Sequence, residues 1–166
     1  GHTPVRVFAA LAKAVESGQV SFREAEVFLL DEFGDLPAND RCDLCRFVGP
    51  HTVVLCREKD PQDANYAPLE ENRERLQGMR TAGGSRLDVI DLPMPAPLSF
   101  EGRRLPASYA NFYVANAAVL VPTFNDPNDR VALGVLAELF RDRPVIGIHA
   151  VDLVWGLGTL HCLTQQ

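Results

Sequence analysis

Short apolar runs alternate with one-sided helical stretches along the chain, and their order reads as α/β. Thr3-Pro4 followed by Val5, Val7, Phe8, Leu11, Ala12 and Val15 gives an N-cap, a proline at the first helical position and a single apolar stripe closed at Gly18, the pattern of a helix. Residues 27–30 form a continuous apolar run of strand length that delivers Asp31 and Glu32 at its end. Residues 36–40 read as loop, 52–56 as strand and 60–65 as a turn. The spacing then predicts a helix over 65–79, with Leu69, Asn72 or Arg73, and Leu76 on one side. Beyond Gly83-Gly84 a strand is expected over 87–92, stopped by the proline-rich stretch 93–97, which cannot be a central strand. Residues 112–114 and 119–122 read as a hairpin around Asn116, 128–140 as a helix started by Asp126-Pro127, and 144–148 as a further strand. Leu153 to Gly158 feeds a last segment, 159–164, read as extended. Strand, helix and strand thus recur at a spacing of about 60 residues, which suggests an internal module repeat.

Composition sharpens this picture in three ways. At 46% apolar and 23% charged the 166 residues suit a folded globular chain, so disorder, collagen and disulfide scaffolds are set aside. The net charge of −6 repels phosphate polyanions, so no nucleic-acid partner is expected. No apolar run approaches the roughly 20 residues that span a bilayer and no signal pattern opens the chain, so the expectation is a cytoplasmic protein without a membrane partner. The chain starts Gly1-His2-Thr3-Pro4, as if within a motif. Its four cysteines, Cys42, Cys45, Cys56 and Cys162, are too unevenly spread for a disulfide scaffold and are read as free thiols.

Candidate chemistry gathers near the end of the chain. Cys162 follows Gly156-Leu-Gly-Thr-Leu-His161, and glycines beside a thiol leave room for a substrate at a nucleophile. The residues alone leave a second reading open, a buried structural cysteine in a terminal strand. Alternation along such a strand sets His161 on the face opposite Cys162, so a base must come from elsewhere. Asp31 and Glu32 hold the strand-end crevice position of open α/β sheets, where a carboxylate can act as a base or simply be solvated. Cys42-Asp-Leu-Cys45 has the spacing of half a zinc site without a second half, so no metal or other cofactor is expected. Arg103-Arg104 reads as a solvated basic turn, and Asp126, Asp129 and Asp142 as helix capping and surface charge.

Several longer words add a resemblance. Leu44-Cys-Arg-Phe-Val-Gly-Pro50, Asp63-Ala-Asn-Tyr-Ala-Pro-Leu-Glu-Glu-Asn72, Leu105-Pro-Ala-Ser-Tyr-Ala-Asn-Phe-Tyr113, Val119-Leu-Val-Pro-Thr-Phe124 and His161-Cys-Leu-Thr-Gln-Gln166 resemble the C-terminal part of agmatine deiminases, relatives of bacterial peptidylarginine deiminases. The resemblance covers about 44–166 and implies a partial pentein, an α/β propeller represented here by about two blades and a closing strand. It implies hydrolysis of a guanidine C–N bond, agmatine to N-carbamoylputrescine and ammonia, through a thiolate at Cys162, with no cofactor; a thiol gains thiolate character beside a cation, and the guanidine substrate is one. Gly156 and Gly158 match the family's glycine turn, whereas Leu157 stands where that turn usually has another glycine. Register from Arg46 and Phe47 sets Asp40 at the family's acid/base histidine, Cys42 at its guanidinium-binding aspartate and Asp43 at the following acidic residue, a substrate-binding candidate.

Residues 1–43 form a separate helix and strand segment. Thr3-Pro-Val-Arg-Val-Phe-Ala-Ala-Leu11, Val20-Ser-Phe22 and Phe28-Leu-Leu-Asp-Glu-Phe-Gly-Asp-Leu-Pro37 resemble the glucosamine-6-phosphate deaminase and 6-phosphogluconolactonase family, which implies a base at Asp31 and a phosphate loop at a helix N-terminus. The expected domain division is therefore 1–43 and 44–166, a junction of two family patterns near residues 40 to 45. A catalytically silent fragment whose open faces associate as a homo-oligomer is the competing expectation.

Overall fold

The computed structural model describes residues 44–81 and 83–164. The readings made for 1–43, including the first helix, the strand at 27–30, Asp31, Asp40, Cys42 and Asp43, lie outside the described residues. Within the described part the chain forms two copies of one ββαβ unit. In the first, β1 (Cys45–Phe47) pairs antiparallel with β2 (Thr52–Arg57), helix α1 (Tyr66–Gly78) crosses over, and β3 (Asp88–Pro93) returns parallel to β2, with Thr52 opposite Asp88 and Arg57 opposite Pro93. After the two-residue strands β4 (Ser99–Phe100) and β5 (Arg103–Arg104), the pattern repeats. Strand β6 (Tyr113–Val114) pairs antiparallel with β7 (Val119–Thr123), α2 (Asn128–Leu139) crosses, and β8 (Val145–His149) runs parallel to β7. The expected module repeat is present, as two separate three-stranded sheets of order β1-β2-β3 and β6-β7-β8.

Local sequence explains each unit. Val53 to Cys56 are all buried, so β2 is covered on both faces and reads as a continuous apolar run. Helix α1 buries Leu69, Asn72 and Leu76, which resolves the choice at the middle position in favour of Asn72. Its neighbour Arg73 turns outward and pairs with Asp91 of β3. Helix α2 buries Ala132 and Leu136 one turn apart. Pro93 closes β3 at the sheet edge, where a missing N–H costs no ladder bond. Between β4 and β5 the chain reverses through Glu101 (φ 49°) and Gly102 (φ 75°), the left-handed pair of a type I′ hairpin turn. Arg104 is therefore not in a solvated turn but in a strand, with its Nη1 held by both carboxylate oxygens of Asp63 at 2.8 and 2.9 Å. Asp126 accepts from the Asn128 N–H at the head of α2, and Asp142 pairs with Arg143 on the surface, as expected of capping and surface charge.

The two units meet on a stretch without regular structure. Residues 107–112 are all buried, unusual for a connection, because buried backbone needs hydrogen-bond partners. Some come from within the stretch, where the Ser108 hydroxyl accepts the Ala110 N–H and the Ser108 carbonyl the Asn111 N–H, and side chains tie the stretch to both units. Arg46 of β1, 2% exposed, lays its guanidinium 4.4 Å from the centre of the Phe112 ring and donates to the Phe112 carbonyl. Cys56 of β2 lies 3.2 Å from the Ser108 hydroxyl, and the Tyr109 hydroxyl donates to Asp129 of α2 at 2.7 Å. Burial and then the hydrogen bond to Asp129 hold the Tyr109 phenol well above its ordinary pKa, so it stays a donor.

The expected extended segment at 159–164 is instead a turn. Leu163 N–H bonds to Thr159 O at 3.1 Å and Thr164 N–H to His161 O at 3.0 Å, local bonds that no strand makes. No closing strand is formed by these residues. The alternation that set His161 and Cys162 on opposite faces does not apply.

Candidate active site

Cys162 is brought to the surface by a sequence of small backbone devices. The 3₁₀ turn Leu153–Gly156 ends on Leu157, whose N–H caps Val154 O at 3.0 Å and whose backbone is left-handed (φ 65°, ψ 29°). That reversal sends Gly158 and Thr159 into the interior, both buried, before the chain re-emerges at Cys162. Gly158 lies so close behind the cysteine that a β-carbon on it would stand 2.6 Å from the Cys162 Cβ and 3.0 Å from Sγ. Only glycine fits there. Gly156, the other predicted glycine, is exposed with open space around it, so nothing in the packing demands it.

Asn111 holds the thiol. Fully buried at the end of the connecting stretch, it donates from Nδ2 to Cys162 Sγ at 2.9 Å across 51 residues of chain. Its Oδ1 accepts the backbone N–H of His161 at 2.9 Å and of Cys162 at 3.3 Å, and its carbonyl accepts from His161 N–H and from the Thr159 hydroxyl. One side chain thereby fixes the turn and aims a partial positive charge at the sulfur. Sequence reasoning gave Asn111 no role, although it lies in one of the words that carry the resemblance.

The thiols differ in what they can do. Cys162 is exposed, the condition for attack on an outside ligand, whereas Cys45 and Cys56 are buried. Burial and then the neighbouring Cys56 thiol push Cys45 up to about 12, so it stays protonated and inert. Beside the site, Leu157 forms part of the wall of a cleft of about 400 Å³ shared with Met94 to Leu98 and Arg104 to Ser108. His149 and Asn125 bond to each other at 3.1 Å at the end of β8. Among the described residues no group of histidine, cysteine, aspartate or glutamate is arranged to hold a metal ion, and no helix is long and apolar enough to cross a membrane.

Comparison with known proteins places this geometry in a family. Residues 40–166 match the sequence pattern of the Porphyromonas-type peptidyl-arginine deiminases. The chain belongs to that family. Among the family's relatives, agmatine deiminase of Pseudomonas fluorescens is 34% identical over 140 residues, which cover 74% of this chain and 38% of the relative. The solved agmatine deiminase of Enterococcus faecalis superposes with a TM-score of 0.72 at 30% identity, covering 75% of this chain and 39% of that one. That of C. jejuni gives 0.66 at 36% identity, covering 72% and 36%. The chain thus spans less than two fifths of the length of these deiminases, and its described fold is the mixed α/β architecture they carry in that portion.

Proposed function

We propose that this chain carries the nucleophile-bearing part of a hydrolase that cleaves guanidine C–N bonds, with agmatine as the substrate and N-carbamoylputrescine and ammonia as products. The observation that carries the reading is the exposed residue Cys162, its sulfur backed by Gly158 and addressed by Asn111 Nδ2. The Cys162 thiolate adds to the guanidinium carbon, forming the C–S bond as electrons shift to nitrogen. One C–N bond then breaks and its nitrogen leaves with a proton as ammonia, leaving an amidino-thioether. Water adds to the same carbon, the C–S bond breaks, and the thiolate is regenerated with the urea product. Asn111 acts by keeping sulfur and turn in place while that carbon changes geometry. Asp43 supplies negative charge for the cation, by its register beside Arg46 and Phe47.

Asp40 stands where the resemblance sets the acid/base histidine. Proton delivery to the leaving nitrogen is then weak, and the general acid contribution of about 10²- to 10⁴-fold is lost. Covalent capture and turnover are therefore separate tests. Incubation with 2-chloroacetamidine, a guanidinium-shaped thiol reagent, should modify Cys162 faster than iodoacetamide does, and Cys162→Ala should abolish the adduct. With agmatine, ammonia release should be slow, should vanish in Cys162→Ala and should rise in Asp40→His. Equal ammonia from native chain and Cys162→Ala would rule out catalysis by this thiol.

A further inference from the structure

Leu157 is a feature of the site turn that the proposed chemistry leaves unused. Three observations meet on it. Its φ of 65° is the left-handed conformation that a branched, bulky side chain adopts rarely and that glycine adopts freely. The residue is 68% exposed and lines the cleft of about 400 Å³. Its chain neighbour Gly158 is the residue pressed against the Cys162 sulfur. Strained residues persist where their surroundings over-determine them, and here the surroundings are visible. The ring of Trp155 stacks on Phe100 of β4, with centroids 4.2 Å apart and planes 26° from parallel. The Leu157 N–H is tied to Val154, itself fully buried. The turn is held ahead of the left-handed residue by these two contacts and behind it by the buried Gly158 and Thr159.

We infer that Leu157 is a specificity-determining residue, a fixed post on the cleft wall, next in the chain to the glycine behind Cys162, that admits slim guanidines with a free far end and turns away guanidines carried on a peptide. This rests on the reading of Cys162 as the guanidine-attacking thiol. Because Leu157 is exposed on the cleft wall, it meets the end of a ligand remote from the guanidinium. At that end a guanidinoalkane presents a small amine, whereas an arginine residue presents two peptide bonds and its neighbours. A steric post discriminates between these by clash, without any new attraction.

The test uses two probes on the whole chain: 2-chloroacetamidine itself, and the same chloroacetamidine built on the side chain of a blocked ornithine dipeptide. Labelling of Cys162 is followed by peptide mass spectrometry. In the native chain the slim probe should react at least about tenfold faster than the peptide probe, the size of discrimination expected from a steric pocket wall. Leu157→Gly should bring that ratio below about threefold while changing the slim rate by less than about twofold. Leu157→Asn, which tolerates the same backbone, should fall between. A native ratio near one, or a ratio that Leu157→Gly leaves unchanged, overturns the inference. Failure of the guanidine reading is seen separately, as 2-chloroacetamidine labelling no faster than iodoacetamide. In that event a pair of small and dipeptide-borne iodoacetamides still reports whether the post discriminates.

Discussion

Asn111 concentrates three jobs in one buried amide: it donates to sulfur, accepts two turn N–H groups and sits where its own carbonyl is used twice. Truncation to Asn111→Ala removes the donor to sulfur and the side-chain acceptor of the turn N–H groups while the main-chain carbonyl still holds the His161 N–H, a loss of about 1–3 kcal/mol, so thermal unfolding should shift downward and Cys162 labelling should slow together. Gly158→Ala should act on the thiol alone, because its β-carbon enters the space of Cys162; loss of labelling with a melting temperature lowered by only a few degrees is the expected result. Leu157→Gly should move the other way. A left-handed leucine costs roughly 1–2 kcal/mol, glycine's extra freedom when unfolded returns about 0.5–1, and a net gain of about 0.5–1 kcal/mol should be measurable by denaturant titration. At this scale the sequence displayed the cysteine for which reactivity is proposed, since glycines flanking a thiol are a local signal. It did not display its holder, because an asparagine in a connection carries no mark of a partner 51 residues away.

At the scale of elements, the crossovers explain why so much was readable. Strands β2, β3, β7 and β8 and helices α1 and α2 each carry their own periodicity and their own stops, and each lies within two residues of its expected bounds. The last segment was misread for a physical reason. Thr159 to Thr164 offers a short, mildly alternating pattern with no turn residue inside it, and what bends it is the captured His161 and Cys162 N–H groups, a tertiary effect. The connecting stretch was equally silent, as its burial follows from contacts with β1, β2 and α2 rather than from its own pattern. Arg46 tests its importance. Arg46→Ala removes a charge-assisted bond to Phe112 and a ring contact, and should destabilise the chain by about 2–3 kcal/mol with unfolding remaining a single transition.

Across the described part of the molecule, Asp63 and Asp91 tie distant elements and contribute to the response to acid. Burial pushes Asp91 up, but hydrogen bonds from Arg57 and Arg73 outweigh it and hold its pKa below the ordinary value of about 3.9. The hydrogen bond from Arg104 likewise holds Asp63 low, against a smaller effect of burial. A carboxyl depressed in the folded chain contributes stability that is complete above the unfolded value and is lost as pH falls through the folded one. Melting temperatures should therefore be flat from neutrality down to about pH 5 and fall steeply below about pH 4, and Asp91→Asn should lower the plateau and soften the fall. The residue pairs joined by these ions were not legible, because Arg104 lies 41 residues beyond Asp63, outside the sequence words, and reaches it from strand β5.

The seat of the sulfur has one more consequence, for the order in which the chain becomes competent. A cysteine oriented by an amide far upstream has no orientation until the stretch bearing that amide has been gripped from both flanks. Long-range closure comes late, since its entropic cost is met only after local pieces are in place. A half-assembled chain therefore lacks the Asn111 contact to sulfur, and the reactivity proposed for Cys162 should arrive only with the finished fold.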